Sequence, residues 1–574
     1  MAGKPTGNDA LALDIRDASF EYAEGRSGAG VYGISLQLEP GQVALLTGAS
    51  GCGKTTVTRL ANGLVPHYYE GTLSGRAQVA GVDVSAAPLY ETARVAGSVF
   101  QNPKTQFFSV DVRGEVAFGC ENLGLPVEDI EARVAAQAKA FNLEDLIGRS
   151  LFDLSGGQKQ RIACAAATAA SPALVVMDEP SSNLDFEGIV RLREAIRHWK
   201  AQGCAVLVAE HRLHYVADMA DVVLHMERGR IARRWTGAEF AALPADALCD
   251  LGLRVRRVQD AFAAAGTASA SPAAEPSEAE APAAPAISPS ESETPAAPTA
   301  SPSEAEVQTA PAISPSESEA PAAPTAATSQ ASAKALAIDD FRFAYRRGAN
   351  ATLALDIEHA ELPQGGIVAV VGRNGAGKST FAEALCGLNR CGGRLTVGGR
   401  AHGRKQRTRA SFMVMQDVNH QLFAESVLDE VQLSLAEEDE ARAHELLRAL
   451  DLDDVADDHP LSLSGGQRQR VCVAAALASK KPLVVYDEPT SGLDLTHMRQ
   501  VAALLRQVRD TGATQVVVTH DPEFILSCCS QVLEMESGRI MENYALDAAG
   551  MRRLEAFFAR AQAVGGEPWE KRPM

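Results

Sequence analysis

One phosphate-loop string occurs twice in this chain, and that repetition constrains the fold more than any other feature. "LLTGASGCGKTTVTRL" runs from Leu45 to Leu60, and "AVVGRNGAGKSTFAEAL" runs from Ala369 to Leu385. In each, a short apolar run predicts a buried strand, a Gly-rich turn follows, and a helix is expected to begin at the lysine. That context gives G-x-x-x-x-G-K-S/T its meaning. Gly48, Ala49, Ser50, Gly51, Cys52 and Gly53 form the first turn, ahead of Lys54, Thr55 and Thr56. Gly372, Arg373, Asn374, Gly375, Ala376 and Gly377 form the second, ahead of Lys378, Ser379 and Thr380. The glycines let backbone N–H groups face a phosphate, and the helix N-terminus adds positive potential. Lys54 and Lys378 are placed to reach β- and γ-phosphates, and the Thr55 and Ser379 hydroxyls to ligate Mg²⁺.

The repetition extends far beyond the loops. "LSGGQ" occurs at Leu154–Gln158 and again at Leu463–Gln467. From Lys54 to Ser155 is 101 residues and from Lys378 to Ser464 is 86, a difference of 15. From Lys54 to His211 is 157 and from Lys378 to His520 is 142, again a difference of 15. The extra residues all precede "LSGGQ", and nine of them precede Gln101 (47 residues from Lys54, against 38 from Lys378 to Gln416). Two tandem copies of one domain explain this register.

Between the copies the composition changes. Residues 266–333 hold 12 of the 28 prolines and nine glutamates, with no Lys, Arg or aromatic residue. Such a stretch lacks the apolar surface to offset its ordering entropy, so an extended acidic linker is expected. The resulting division is a first domain at 11–253, a mostly disordered linker at 254–333, a second domain at 334–560 and a tail at 561–574. The net charge of −19 argues against a general nucleic-acid partner. The ten cysteines show no C-x-x-C pairing, which suits reduced thiols. No signal peptide or spanning helix is visible, so a membrane role is expected to come through a partner.

"ALVVMDEP" (173–180) and "PLVVYDEP" (482–489) read as buried strands that end in two acids beside the phosphate turns. Asp178 and Asp487 are candidates to hold Mg²⁺, and Glu179 and Glu488 to polarise an attacking water. A pair of helix-capping acids is the plainer reading of either string alone.

Together these strings resemble the ABC-type ATPases. The resemblance covers nearly all of both halves. It implies an α/β fold: two tandem P-loop domains, each with a mostly parallel sheet core, an antiparallel β subdomain and a helical signature subdomain, joined by the linker. By the same resemblance, Tyr22 and Tyr345 look like adenine-stacking aromatics, and Gln101 and Gln416 like Q-loop glutamines that touch Mg²⁺. Asp185 and Asp494 look like D-loop aspartates, and His211 and His520 like switch histidines. The signature residues Ser155, Gly156, Gly157 and Gln158, with Ser464, Gly465, Gly466 and Gln467, are then expected to face ATP held by the opposite half. The halves form an intramolecular pair with two composite sites, Lys54 with Ser464 and Lys378 with Ser155. Each half keeps every catalytic group, so ATP hydrolysis with Mg²⁺ is expected at both.

The segment after each Q-loop glutamine, "VFQNPKTQFFSVDVRGEVAFGCENLGLP" (99–126) and "VMQDVNHQLFAESVLDEVQLSL" (414–435), resembles the ATPases of energy-coupling factor (ECF) transporters. That implies an energy-coupling subunit at the cytoplasmic face of the membrane. It would work with a transmembrane T component and a substrate-binding S component, for uptake of a vitamin, a vitamin precursor or a metal ion. Phe107, Phe108, Leu422 and Phe423 are the candidate docking residues, with ordinary core packing as the alternative for each. A twin ATPase of a sugar-type importer, or a soluble twin-ABC translation or repair factor, stays open as another reading.

Overall fold

The computed structural model describes residues 11–23, 30–100, 105–154, 156–182, 184–270, 336–345, 353–437 and 439–565. The linker from 271 to 333, Gln101, Ser155 and the last nine residues of the tail lie outside them.

The apolar runs become the centres of two parallel sheets. In the first half the order is Arg230–Thr236, Val222–Glu227, Val43–Gly48, Ala205–Ala209, Leu174–Asp178, Ala96–Val99. Only the outermost pair, Arg230–Thr236 with Val222–Glu227, is antiparallel. Val43–Gly48 is buried at all six positions, as a strand covered on both faces must be. The second half repeats the order with Arg539–Ala545, Gln531–Glu536, Ile367–Val371, Thr514–Val518, Leu483–Asp487 and Ser411–Val414. These sheets place the carboxyl ends of Leu174–Asp178 and Leu483–Asp487 beside the phosphate turns.

A second, four-stranded antiparallel sheet accompanies each core: Gly30–Leu38, Leu13–Tyr22, Gly71–Val79 and Val82–Asp83, and in the other half Leu355–Leu362, Leu336–Phe343, Arg394–Val397 and Arg400–His402. A helical arm follows, Val112–Asn122, Val127–Ala140 and Gly156–Ala169, against Val427–Gln432, Glu440–Arg448 and Gly465–Ala478. The extra residues of the first half lengthen the strand Gly71–Val79 and the first two helices of the arm, leaving the parallel core unchanged.

Two expected boundaries move. The expected linker start at 254 falls inside folded structure: residues up to 268 belong to the same compact unit as both halves. Val258–Ala270 is helical, and Arg254 is buried. The last helix, Ala548–Gly565, also runs past 560. The composition of 254–265 carries a signal: Arg254, Arg256, Arg257 and Phe262 are residue types that 266–333 lacks.

Those partners form a seam between the halves. Phe186, at the start of the helix after the first D-loop, lies 4.5 Å from Phe558 of the C-terminal helix. Val258, Phe262, Ala369, Val371, Ile525, Val532, Tyr544 and Leu554 complete this buried cluster. The Phe558→Ala protein should lose about 3–5 kcal/mol of stability, because a buried aromatic leaves a cavity when truncated. The half-buried Phe557→Ala should lose less, and paired thermal melts compare them.

Candidate functional site

The phosphate turns close as the glycine pattern requires. Gly48 and Gly372 have φ of 139° and 154°, and a Cβ on either would meet the carbonyl oxygen of Met226 or Met535 at 2.3 Å. Each turn runs into a helix starting at its lysine, Lys54–Ala61 and Lys378–Leu385. Lys54 Nζ donates to the Gly48 and Ala49 carbonyls at 3.0 and 2.9 Å, and Lys378 Nζ to those of Gly372 and Arg373 at 2.7 and 3.0 Å. Both ammonium groups are thus already held over the loop. Thr55 Oγ1 donates to Asp178 Oδ1 at 3.2 Å, and Ser379 likewise bonds Asp487. A hydroxyl beside a carboxylate at the strand end is a donor set that fits Mg²⁺.

Glu179 and Glu488 follow those aspartates on strained backbone, with φ of 45° and 54°. Their own N–H groups, bonded to the Ala209 and Val518 carbonyls at 2.9 Å, hold them there. Non-glycine residues in this region persist only when the surroundings over-determine them. Burial pushes both carboxyls up to about 7. Burial also raises Asp178 to about 6, with the Glu179 charge adding to it, and raises Asp487. His211 Nε2 lies 3.4 Å from Glu179 Oε1, and His520 Nε2 lies 3.7 Å from Glu488 Oε1. Burial, reinforced by Lys54 or Lys378, holds both imidazoles neutral. Among the described residues neither Glu488 oxygen has a hydrogen-bond partner, which leaves them free to orient a water.

The halves complete each other. Asp494, N-cap of Leu495–Asp510, accepts from Ser50 N at 2.7 Å through Oδ2 and from His497 N at 2.8 Å through Oδ1. Asp185, N-cap of Phe186–Ala201, accepts from Asn374 N at 2.6 Å and from Gly188 N at 2.8 Å. Each D-loop carboxylate therefore caps its own helix and grips the other half's phosphate loop. A Cβ on Gly157 would stand 3.9 Å from Asn374 Nδ2, which puts the first signature beside the second loop. Gly156 and Gly157, and Gly465 and Gly466, lie inside the first turn of their helices rather than ahead of it. Ser464 caps the second in a reciprocal capping box with Gln467.

Tyr345 is exposed and its hydroxyl bonds Thr380 Oγ1 at 2.8 Å. Tyr22 bonds Thr56 Oγ1 at 3.1 Å and accepts from Arg59 at 3.1 Å; both tyrosines pack edge-on against the phenylalanine two residues before them, but Tyr22 also packs edge-on against Tyr69 and is less exposed. The second aromatic is the freer to stack on a base. Gln416 is exposed, two residues past the strand Ser411–Val414. Cys52 is buried, and that burial raises its thiol pKa, so the reactive thiolate form is disfavoured there.

The docking candidates separate. Phe108 and Phe423 are 75% and 81% exposed, whereas Leu422 is buried and Phe107 packs against the core. Both exposed rings sit on turns clamped alike. The N–H groups of Phe108 and Ser109 donate to Glu115 Oε2, and those of Phe423 and Ala424 donate to Glu430 Oε2, all at 2.8–2.9 Å. Sequence reading missed these buried glutamates. Their signal was a matched spacing, nine residues after Gln106 and nine after Gln421.

Two phosphate loops, each closed by the opposite D-loop, define a paired ATP-binding cassette. The comparisons agree, and the chain belongs to the ABC transporter family, whose model matches residues 31–182 and 355–491. It is 37% identical to a Treponema denticola protein named "Putative ABC transporter ATP-binding protein", over 92% of this chain and 96% of that one. A second Treponema denticola protein of the same name is 33% identical over 95% and 99%. In three dimensions it is similar to an archaeal ribosome recycling factor, aABCE1, solved with a ribosomal stalk protein. The TM-score is 0.55 at 19% identity, covering 94% of this chain and 92% of that one. It is also similar to RNase-L Inhibitor, with TM-score 0.56 at 20% identity over 95% and 93%. At these identities the likeness is one of fold. The chain is a twin-domain ATPase that uses ATP and Mg²⁺.

In this family's reaction Mg²⁺ supplies charge neutralisation at the phosphates. The chain's own groups do the rest. We propose that Lys54 and Lys378 draw the phosphates in, that the loop N–H groups orient them, and that Glu179 and Glu488 align a water and take its proton. Glu179→Gln and Glu488→Gln should each lower kcat. Both together should lower it by about 10²-fold or more, with nucleotide binding within about threefold. Full kcat for Glu179→Gln at saturating ATP would place the first-half base elsewhere.

The raised carboxyls also carry a stability signature. Between the unfolded value of 4.5 and about 7, folded Glu179 holds a proton that the unfolded chain has lost. Stability contributed by the protonated group therefore falls as pH rises through that window. In nucleotide-free, Mg²⁺-free protein, Glu179→Gln should raise Tm at pH 8 by an amount reflecting about 3 kcal/mol, and by much less at pH 5. Thermal melts at the two pH values check this.

Proposed function

We propose that this chain is the energy-coupling ATPase of an ECF-type importer, recruited to the cytoplasmic face of the membrane by a T component that works with a substrate-binding S component. The observation that carries the reading is the matched pair Phe108 and Phe423. Apolar residues scattered singly on a surface need no explanation, but exposed rings that recur at matched positions and group with other apolar side chains mark a contact surface. Here they stand at the same position in both halves, each on a turn held rigid by a buried glutamate. Further exposed apolar side chains stand at matched positions, Phe152 and Leu461, three residues before each signature serine. A backbone bond from Leu151 N to the Val110 carbonyl ties the Phe152 segment to the one after Phe108.

A two-lobed apolar surface suits a partner that presents one helix to each half. The lobes are not identical, since the first has stacked Phe108 and Phe118 (ring centroids 5.0 Å apart) and the second has Phe423 with the exposed Leu433 at the position of Phe118. That difference suits a single asymmetric membrane protein. Among the described residues no helix is long and apolar enough to cross a membrane, so the membrane part of the transporter is assigned to a partner.

Co-expression with a T component and membrane fractionation tests the reading. Phe108→Asp with Phe423→Asp should reduce membrane recovery at least about tenfold, as loss of two interface anchors implies. Basal ATPase should stay within about twofold. Membrane recovery without any partner, or recovery indifferent to both substitutions, would count against it.

A further inference from the structure

Arg254 is the most deeply buried cation at the seam, with its side chain only 3% exposed. It comes from the segment leaving the first half, yet every group it bonds belongs to the second. Nη1 donates to Asp521 Oδ2 at 2.5 Å and lies 3.6 Å from Glu523 Oε2. Nη2 donates to the Leu493 carbonyl at 3.0 Å. The next residue adds a bond from Val255 N to Glu523 Oε1 at 3.2 Å.

The two ends of this fork serve different ATP sites. Leu493 immediately precedes Asp494, the D-loop carboxylate that grips Ser50 in the first phosphate loop. Asp521 immediately follows His520, which faces Glu488 in the second site. Asp521 Oδ1 also caps the helix Pro522–Cys528, accepting from the N–H groups of Glu523 and Phe524, so its position fixes the switch loop. One planar guanidinium therefore ties the loop that completes site one to the loop that arms site two.

The first half makes the matching connection differently. There the residue after the switch histidine is Arg212 itself, whose Nη1 donates to the Ser181 carbonyl at 3.4 Å. Ser181 Oγ donates to Glu210 Oε1 at 2.5 Å, and Glu210 also accepts from Tyr215 OH. That link is made wholly within one half. In the second half Thr519 and Asp521 replace Glu210 and Arg212, and the missing cation is supplied from across the seam.

We propose that Arg254 is a positioning residue that couples the two ATP sites, by locking the second half's D-loop and switch loop into one body. Occupancy of the first site, felt through Asp494, is then transmitted to the catalytic geometry around Glu488. Burying this ion pair gains little net stability, so its use is in fixing geometry.

The test is a mutant cycle on the full chain, read at the second site alone. The protein is incubated with 8-azido-ATP, Mg²⁺ and vanadate and irradiated, and peptides of the second half are quantified for trapped label. With Arg254 present, disabling the first site by Lys54→Ala should lower second-half trapping at least about fivefold, the low end of ordinary coupling between sites. In Arg254→Gln, Lys54→Ala should change it by less than twofold. Asp521→Asn, which removes the shorter of the two ion pairs from the other side and leaves the guanidinium its Glu523 and Leu493 contacts, repeats the cycle should Arg254→Gln fail to fold. An equal effect of Lys54→Ala with and without Arg254, including no effect in either, overturns the proposal.

Discussion

Two carboxylate bonds across the seam hold this architecture together functionally. Asp185 grips Asn374 N, and Asp494 grips Ser50 N. A phosphate loop by itself is a set of inward-pointing donors around a lysine, and it needs no partner to bind an anion. What the opposite D-loop adds is register. Because each aspartate simultaneously caps the helix behind it, a shift of either half relative to the other must break a cap or a loop contact. The two catalytic centres are thus assembled by the same event that joins the halves, which is why a single copy of the domain would be incomplete.

Around that frame the chain accepts local costs. Glu179 and Glu488 sit on left-handed backbone and in surroundings that disfavour their charge. Both costs point the same way. A carboxylate poised near neutrality, fixed in direction by strained backbone and faced by a neutral imidazole, is prepared to take a proton from water and poor at anything structural. The helix-capping reading of these acids does not survive, because the caps are made by Asp185 and Asp494 further along each chain.

Much of this was legible in the sequence because it is local. Glycine turns, strand-end acids and the signature strings are set by spacing of a few residues, and the repeat doubled every signal. The paired register even located the extra residues, which lengthen arm helices and the antiparallel sheet. What stayed illegible depends on contacts between distant segments. Phe107 and Phe108 are indistinguishable as letters, yet one packs inward and the other points out, because Glu115 pins the turn between them and the helix. Residues 254–265 read as the start of a linker, despite their arginines and Phe262, because their apolar partners, Phe558 and Phe186, lie in other parts of the chain. A buried arginine is the hardest case. Arg254 is a charged residue in a polar context, and only the placement of Asp521 and Glu523, more than 260 residues away, makes its burial tolerable.

The two halves therefore share machinery but not wiring. Arg212 and Arg254, both from the first half, face Asp521 of the second. Burial opposes ionisation of that carboxyl, and the two guanidiniums outweigh it and hold its pKa below the usual range. Arg212 also lowers the proton affinity of Glu488, against the stronger effect of burial. Glu179 in turn feels the negative Asp494. Each half lends the other's site a D-loop carboxylate, Asp185 toward Lys378 and Asp494 toward Glu179, and the first half adds the Arg212 guanidinium at Glu488. The counterpart of Arg212 in the second half is Asp521, so two identical copies could not make this charge pattern.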